Sequence, residues 1–208
     1  MMCKKLFLAT LLFLGAWQTV WAGTQRQEDL SASVQAALQS AIADRASPEP
    51  IFPSMDEKLN WLNQMVPKLA KRIPDANERI DLLKTVYYEA QRAGLDPQMV
   101  LGLIQVESGF HKYAVSSAGA RGLMQVMPFW VRQIGTPDQN LFYLRTNLRY
   151  GCTILRHYLD IEKGDLYRAL GRYNGSLGRP EYPNAVRAAW DQWKYTPLTN
   201  ARSSTARN

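Results

Sequence analysis

From Asp96 to Gly109 the chain is committed to one buried helix that ends on an acid. Asp96 can cap free backbone N–H groups, and Pro97, at the first helical position, has no N–H to lose. Met99, Val100, Leu101, Leu103, Ile104 and Val106 make the helix apolar around most of its circumference, so it belongs inside a domain. Glu107 shares the apolar face of Leu103 and Ile104. No other acid occurs until Asp138. Burial disfavours a charged carboxylate, and the negative pole of a helix C-terminus pushes the same way. The expected product is a Glu able to hold a proton near neutral pH, the property needed to protonate a glycosidic oxygen. Lys112, Arg121 and Arg132 oppose that shift if they point inward, and a surface Glu at a frayed helix end is the competing reading of the spacing.

The residues after Glu107 are suited to a turn rather than a helix. Gly119 and Gly122 bracket Ala120-Arg121 and allow positive φ or close backbone approach. Ser116, Ser117, Tyr113 and Gln125 supply neutral donors and acceptors suited to hydroxyl and acetamido groups on a sugar. Residues 108–121 therefore read as a loop or small hairpin forming one wall of a cleft. Leu123, Met124, Val126 and Met127 are expected to begin the next helix, with Pro128 in its first turn or as a kink. Taken alone, Met127 reads as a core residue.

This segment resembles the signature of the soluble lytic transglycosylase family, whose fold is related to goose-type lysozyme. The resemblance lies in Glu107-Ser108, the aromatic Phe110, Ser116, and the ungapped run Gly119-Ala-Arg-Gly-Leu-Met-Gln-Val-Met-Pro128. A second element is Asn147-Leu-Arg-Tyr-Gly151 leading into Tyr158-Leu159; a third is Tyr173-Asn174. The third reads Arg-Tyr-Asn-Gly-Ser where the family more often has Ala-Tyr-Asn-Ala-Gly, which leaves the shape of the following loop open. The resemblance covers residues 95–190 and implies that Glu107 is the catalytic acid. By motif position it implies that Ser116 and Gln125 contact the sugar, Met127 and Tyr173 line the cleft, and Asn174 helps hold the loop.

Lys4 and Lys5, the apolar run from Leu6 through Trp17, and Val20-Trp21-Ala22 read as a secretory signal cut after Ala22. An uncleaved, membrane-associated anchor is the alternative; the run is short for a span. Export suits the periplasm of a Gram-negative cell. The formal net charge is +7, and Lys4 and Lys5 leave with the signal. A positive excess favours a polyanionic partner, but the basic residues are dispersed, so no nucleic-acid partner is expected. Cys152 is the cysteine that remains after Cys3 is removed, so no internal disulfide is expected, and its place in an apolar helical pattern makes it a core residue. His111 and His157 stand apart from any Cys/His cluster, so neither a metal nor another cofactor is expected.

Residues 23–53 read as a helical appendage, with Leu30, Val34, Leu38 and Ile42 on one face, and a linker carrying Pro48, Pro50 and Pro53. The catalytic domain is placed at 54–196. Ser54 with Glu57 and Asp75 with Glu78 give helix starts, Pro67 a kink or stop, and Gly94 a stop. Helical patterns follow near 124–134, 146–163, 165–172 and 182–193, and no stretch has the alternation of a sheet protein. Trp190 and Trp193 read as core or capping contacts, and 197–208 as a flexible tail. The fold expected is mainly α, a lysozyme-like (goose-type) helical domain with a small hairpin wall beside the cleft, acting as a monomer.

The residues offer one acid and no obvious second carboxylate, whereas glycosidases ordinarily use two. The resemblance implies a peptidoglycan substrate and a non-hydrolytic cut, with Glu107 as acid and then base and a 1,6-anhydro sugar as product. Hydrolysis on the same fold is the alternative, favoured if Asp138 or Glu181 reaches the cleft. A non-catalytic wall-binding or assembly protein is another, and intact Glu107 argues against it. The appendage and small size also allow a wall-cutting role for a pilus, conjugation or secretion apparatus.

Overall fold

Capping side chains start four of the helices where short-range chemistry requires them. In the computed structural model, which describes residues 25–43 and 52–198, the Ser54 hydroxyl accepts from Glu57 N–H at 3.1 Å and opens α2 (Met55–Met65). Asp75 accepts from Glu78 N–H at 2.7 Å and opens α3 (Ala76–Arg92). Asp96 accepts from the Gln98 and Met99 N–H groups and opens α4 (Pro97–Ser108). Asp165 accepts from Arg168 N–H at the start of α7 (Leu166–Tyr173). The predicted capping box of α2 is half made: the Glu57 carboxylate instead accepts from Tyr195 O–H and Leu198 N–H, tying the far end of the chain to this helix. Pro67 ends α2 by starting a 3-10 turn, Pro67–Leu69.

The other helices are α1 (Ala32–Ala43), α5 (Phe129–Ile134), α6 (Leu144–Ile161) and α8 (Glu181–Gln192). The fold is mainly α; among the described residues the β structure is limited to two isolated bridges. The signal at 1–22, most of the linker and the tail beyond 198 lie outside the described residues.

The core gathers around α4, where every residue from Met99 to Ile104 is buried. Its largest contact is with α8, and glycine at 102 makes that contact close: a Cβ there would lie 2.6 Å from the Trp190 backbone nitrogen. Trp193 is buried and donates its indole N–H to Gln105 Oε1 at 3.0 Å, the core role expected of it. Cys152 is likewise buried on α6. A charged cluster also lies inside. Glu89 of α3, fully buried, takes a two-pronged ion pair from Arg149 of α6 and a further one from Arg92.

One expectation changes. The helix drawn over 124–134 begins only at Phe129, because residues 121–126 instead close a turn, described below. The sequence leaves open whether the N-terminal helix packs on the domain; α1 does so: Leu38 and Ile42 are buried in the core, α1 contacts α5 and α6, and Arg92 donates to the Ala41 carbonyl at 2.9 Å.

Candidate active site

Glu107 sits in the last turn of α4 and is 1% exposed. The helix ends directly after it, at Gly109 with φ +58°, a left-handed conformation that glycine adopts without strain. The close approach of α8 at Gly102 brings Tyr182, in the first turn of α8, onto the carboxylate, and its hydroxyl donates to Glu107 Oε1. Burial first, then the charge of Glu107 and this bond, hold the Tyr182 hydroxyl proton far above its ordinary pKa. Tyr173, the last residue of α7, donates to the Met124 carbonyl at 2.7 Å. Burial and then Glu107's charge raise its pKa in the same way. One buried carboxylate thus stands beside two phenols that keep their protons.

The wall beside Glu107 is built by turn residues and braced by α6. Val115 bridges Arg121 and Arg121 bridges Val126, folding 114–126 back on itself. The Ser116 hydroxyl accepts from Ala120 N–H at 3.0 Å and the Gln125 amide donates to the carbonyls of Gly122 (2.8 Å) and Ala114 (3.2 Å). Gln125 is buried with φ +48°, so its conformation is fixed by the turn and not by a helix. Asn147 braces the turn from below. Its Oδ1 accepts from Met124 N–H at 2.8 Å, and its Nδ2 donates to the carbonyls of Arg121 (2.9 Å) and Leu141 (2.8 Å). Gly122 and Gly151 make room for this bracing: a Cβ on Gly122 would lie 2.4 Å from Asn147 Nδ2, and one on Gly151 2.3 Å from the Met124 sulfur. The Asn147-to-Gly151 motif is therefore a brace for the wall.

Of the residues named from sequence, Glu107 and Tyr173 come together, and Tyr173 reaches Met124 in the turn that contains Gln125. Met127 is half-buried against the core. Asn174 is buried at the C-terminus of α7, where its amide donates to the Ser176 hydroxyl at 3.1 Å. Lys112 and Arg121 lie over the rings of Tyr113 and Phe142, and Arg132 is exposed. Asp138 is exposed, and its charge adds to burial, the larger cause, in raising the pKa of Tyr150; Glu181 is exposed in the first turn of α8. The carboxylate that acts on Tyr173 and Tyr182 is Glu107.

Sequence reasoning passed over Tyr182 and Gln25. Tyr182, Val186 and Ala189, continued by Trp193 at the C-cap, form the buried stripe of α8, and a buried phenol on such a stripe needs a hydrogen-bond partner; that signal was available. Gln25 is buried against Gln125, Met127 and Trp130, far away in sequence. Nothing local to residue 25 announces it.

Residues 84–195 match the transglycosylase SLT domain family. The chain is 32% identical over 99 residues to a transglycosylase of Enterobacteria phage PRD1, a match covering 48% of this chain and 36% of the relative. It is 56% identical over 39 residues to the membrane-bound lytic murein transglycosylase C of Actinobacillus pleuropneumoniae serotype 5b (strain L20), covering 19% of this chain and 11% of the relative. A solved structure of an inactive mutant of the lytic transglycosylase Slt from Pseudomonas aeruginosa aligns with 65% of this chain and 25% of its own, at 23% identity and a TM-score of 0.41. The matches thus span about a third or less of each of these relatives. With more than half its length inside the matched domain, the chain belongs to the transglycosylase SLT domain family.

Proposed function

We propose that this chain is a peptidoglycan lytic transglycosylase, cleaving the β-1,4 bond between N-acetylmuramic acid and N-acetylglucosamine and leaving a 1,6-anhydromuramic end. The observation that carries the reading is Glu107, a buried carboxylate at the end of α4, inside the matched family domain and held by Tyr182.

Protonated Glu107 gives its proton to the leaving glycosidic oxygen as the C–O bond breaks. The muramic acetamido oxygen stabilises the positive anomeric carbon, supplying from the substrate what a second carboxylate supplies in a hydrolase. Ionised Glu107 then takes the proton of the same sugar's 6-hydroxyl as that oxygen bonds to the anomeric carbon. No water is consumed and Glu107 ends protonated, ready for the next cut. Tyr182 fixes the carboxylate through Oε1 and offers its hydroxyl to the charged form between the two steps. Ser116, Gln125, Met127, Tyr173 and Asn174 shape the sugar site, Ser116 and Gln125 by closing the turn as well as by meeting substrate. Glu107 is the carboxylate whose charge is felt at both Tyr173 and Tyr182, and neither Asp138 nor Glu181 acts on them, which favours the intramolecular route over hydrolysis.

The substrate partner is the glycan strand, met in the periplasm after export. No helix of the described residues is long and apolar enough to cross a membrane. The further reading of a wall-cutting role for a secretion, pilus or conjugation apparatus draws on small size and the N-terminal appendage; α1 of that appendage packs on α5 and α6, and the proposal is confined to glycan cleavage. Glu107→Gln is expected to abolish release of muropeptides from purified peptidoglycan while leaving the circular dichroism spectrum unchanged. Wild-type release by that variant overturns the assignment.

A further inference from the structure

The stretch from Gln25 to Ser31 precedes α1 without regular secondary structure, and Arg26, Gln27, Glu28 and Asp29 are exposed along it. Gln25 alone turns fully inward, at 4% exposure. Its Oε1 accepts from the Met127 N–H at 3.3 Å and the Trp130 indole N–H at 3.0 Å, and its Nε2 donates to the Gln125 carbonyl at 3.5 Å. Its amide also faces the Tyr173 hydroxyl closely enough to offset part of the rise that burial and the charge of Glu107 impose on that group's pKa. These are the turn and helix end that carry three of the named sugar-site residues, with Tyr173 in turn beside Glu107. Between Gln25 and Leu30, which packs partly buried against the core, the segment is held by surface contacts: the Glu28 carbonyl accepts from Gln133 at 3.1 Å, and the Glu28 carboxylate pairs with Arg172 at 3.4 Å, both groups partly exposed.

A glutamine carboxamide and the acetamido group of an N-acetylated sugar present the same chemistry, a carbonyl acceptor and an N–H donor on one planar unit. The pocket formed by Met127 N–H, Trp130 Nε1–H and the Gln125 carbonyl is complementary to that unit. We propose that residues 25–29 are a displaceable strap anchored at Leu30, with the Gln25 carboxamide standing in the seat of a substrate acetamido group, so that the glycan must lift the strap to bind. The proposal rests on the glycan-cleavage reading and adds self-occupation of its site. A segment inserted through one side chain and held elsewhere by exposed contacts opens at low cost, so the strap lowers apparent affinity without closing the enzyme permanently.

The test is titration of the full chain with tri-N-acetylchitotriose, followed by calorimetry and by the Trp130 indole N–H resonance. Gln25→Ala is expected to tighten binding by about fivefold or more, the ratio for a strap closed about four-fifths of the time. Glu28→Gln, which touches no cleft atom, is expected to move affinity the same way by less. In the wild type, saturation is expected to shift the Trp130 indole resonance and to make the amides of residues 26–29 mobile. Unchanged or weaker affinity in both variants, with native melting curves and intact cleavage of peptidoglycan, overturns the strap alone. Absence of both glycan binding and cleavage in every form overturns the cleavage reading and the strap with it.

Discussion

Replacing Asn147 with Ala removes, in one step, the three hydrogen bonds that brace the wall of the cleft: the acceptor for Met124 N–H and the donors to Arg121 and Leu141. Asn147 and Met124 are both buried, so these groups exchange protein partners for none. At a net value of about 1 kcal/mol per bond, the loss comes to about 3 kcal/mol; buried groups left unsatisfied raise it, and a water entering the space of the amide lowers it. The expected result in urea unfolding is a stability loss of about 3 kcal/mol with an unchanged slope. Exchange at the Met124 amide should rise more than at Leu101, deep in α4, because the turn opens before the core does. Asn147→Asp sharpens the argument, since it keeps an acceptor for Met124 but sets a second oxygen against two carbonyl oxygens; it should be at least as damaging at neutral pH. A loss below about 1 kcal/mol for Asn147→Ala, with unchanged exchange at Met124, refutes the bracing role.

Three further perturbations probe other parts of the account. Glu89→Ala strands Arg149 and Arg92 inside the protein without their counter-charge and should cost about 3–5 kcal/mol, or prevent folding, in the same unfolding assay. Gly102→Ala places a Cβ 2.6 Å from the Trp190 nitrogen; α8 must shift, at about 1–3 kcal/mol, and cleavage should fall beyond what lost folding explains because Tyr182 leaves Glu107. His157 has its pKa lowered mainly by burial, so the unfolded chain binds its proton more readily. Its contribution to stability is complete above the ordinary histidine pKa and is lost as pH falls through the lowered folded value. Thermal melts between pH 8 and 5 should show that decline, and His157→Gln should flatten it.

The helices around the site were legible because their signals are local. Ser54, Asp75 and Asp96 cap where they stand, and the apolar run 99–106 has nowhere to go but inward. Glu107 was legible for the same reason, being the one acid on that run. Residues 123–126 read as the start of a helix because Leu123, Met124 and Val126 face the core from a turn as readily as from a helix; what decides the matter is Asn147, far along the chain. Tyr182 illustrates a different gap. Its burial follows from the spacing of α8, but its partner depends on how closely α8 approaches α4, which Gly102 sets. Gln25 lay furthest from reach, because its role depends entirely on a pocket assembled by residues 125–130 and Tyr173.

The central claim is that a single carboxylate drives cleavage without water. Mass spectrometry of the material released from purified peptidoglycan, with Glu107→Gln run beside the wild type, tests it most directly. The account predicts muropeptides one water lighter than those of a hydrolytic muramidase, produced only when Glu107 is present. Ordinary reducing ends would contradict it, pointing to an activated water and to a second acid brought to Glu107 on substrate binding.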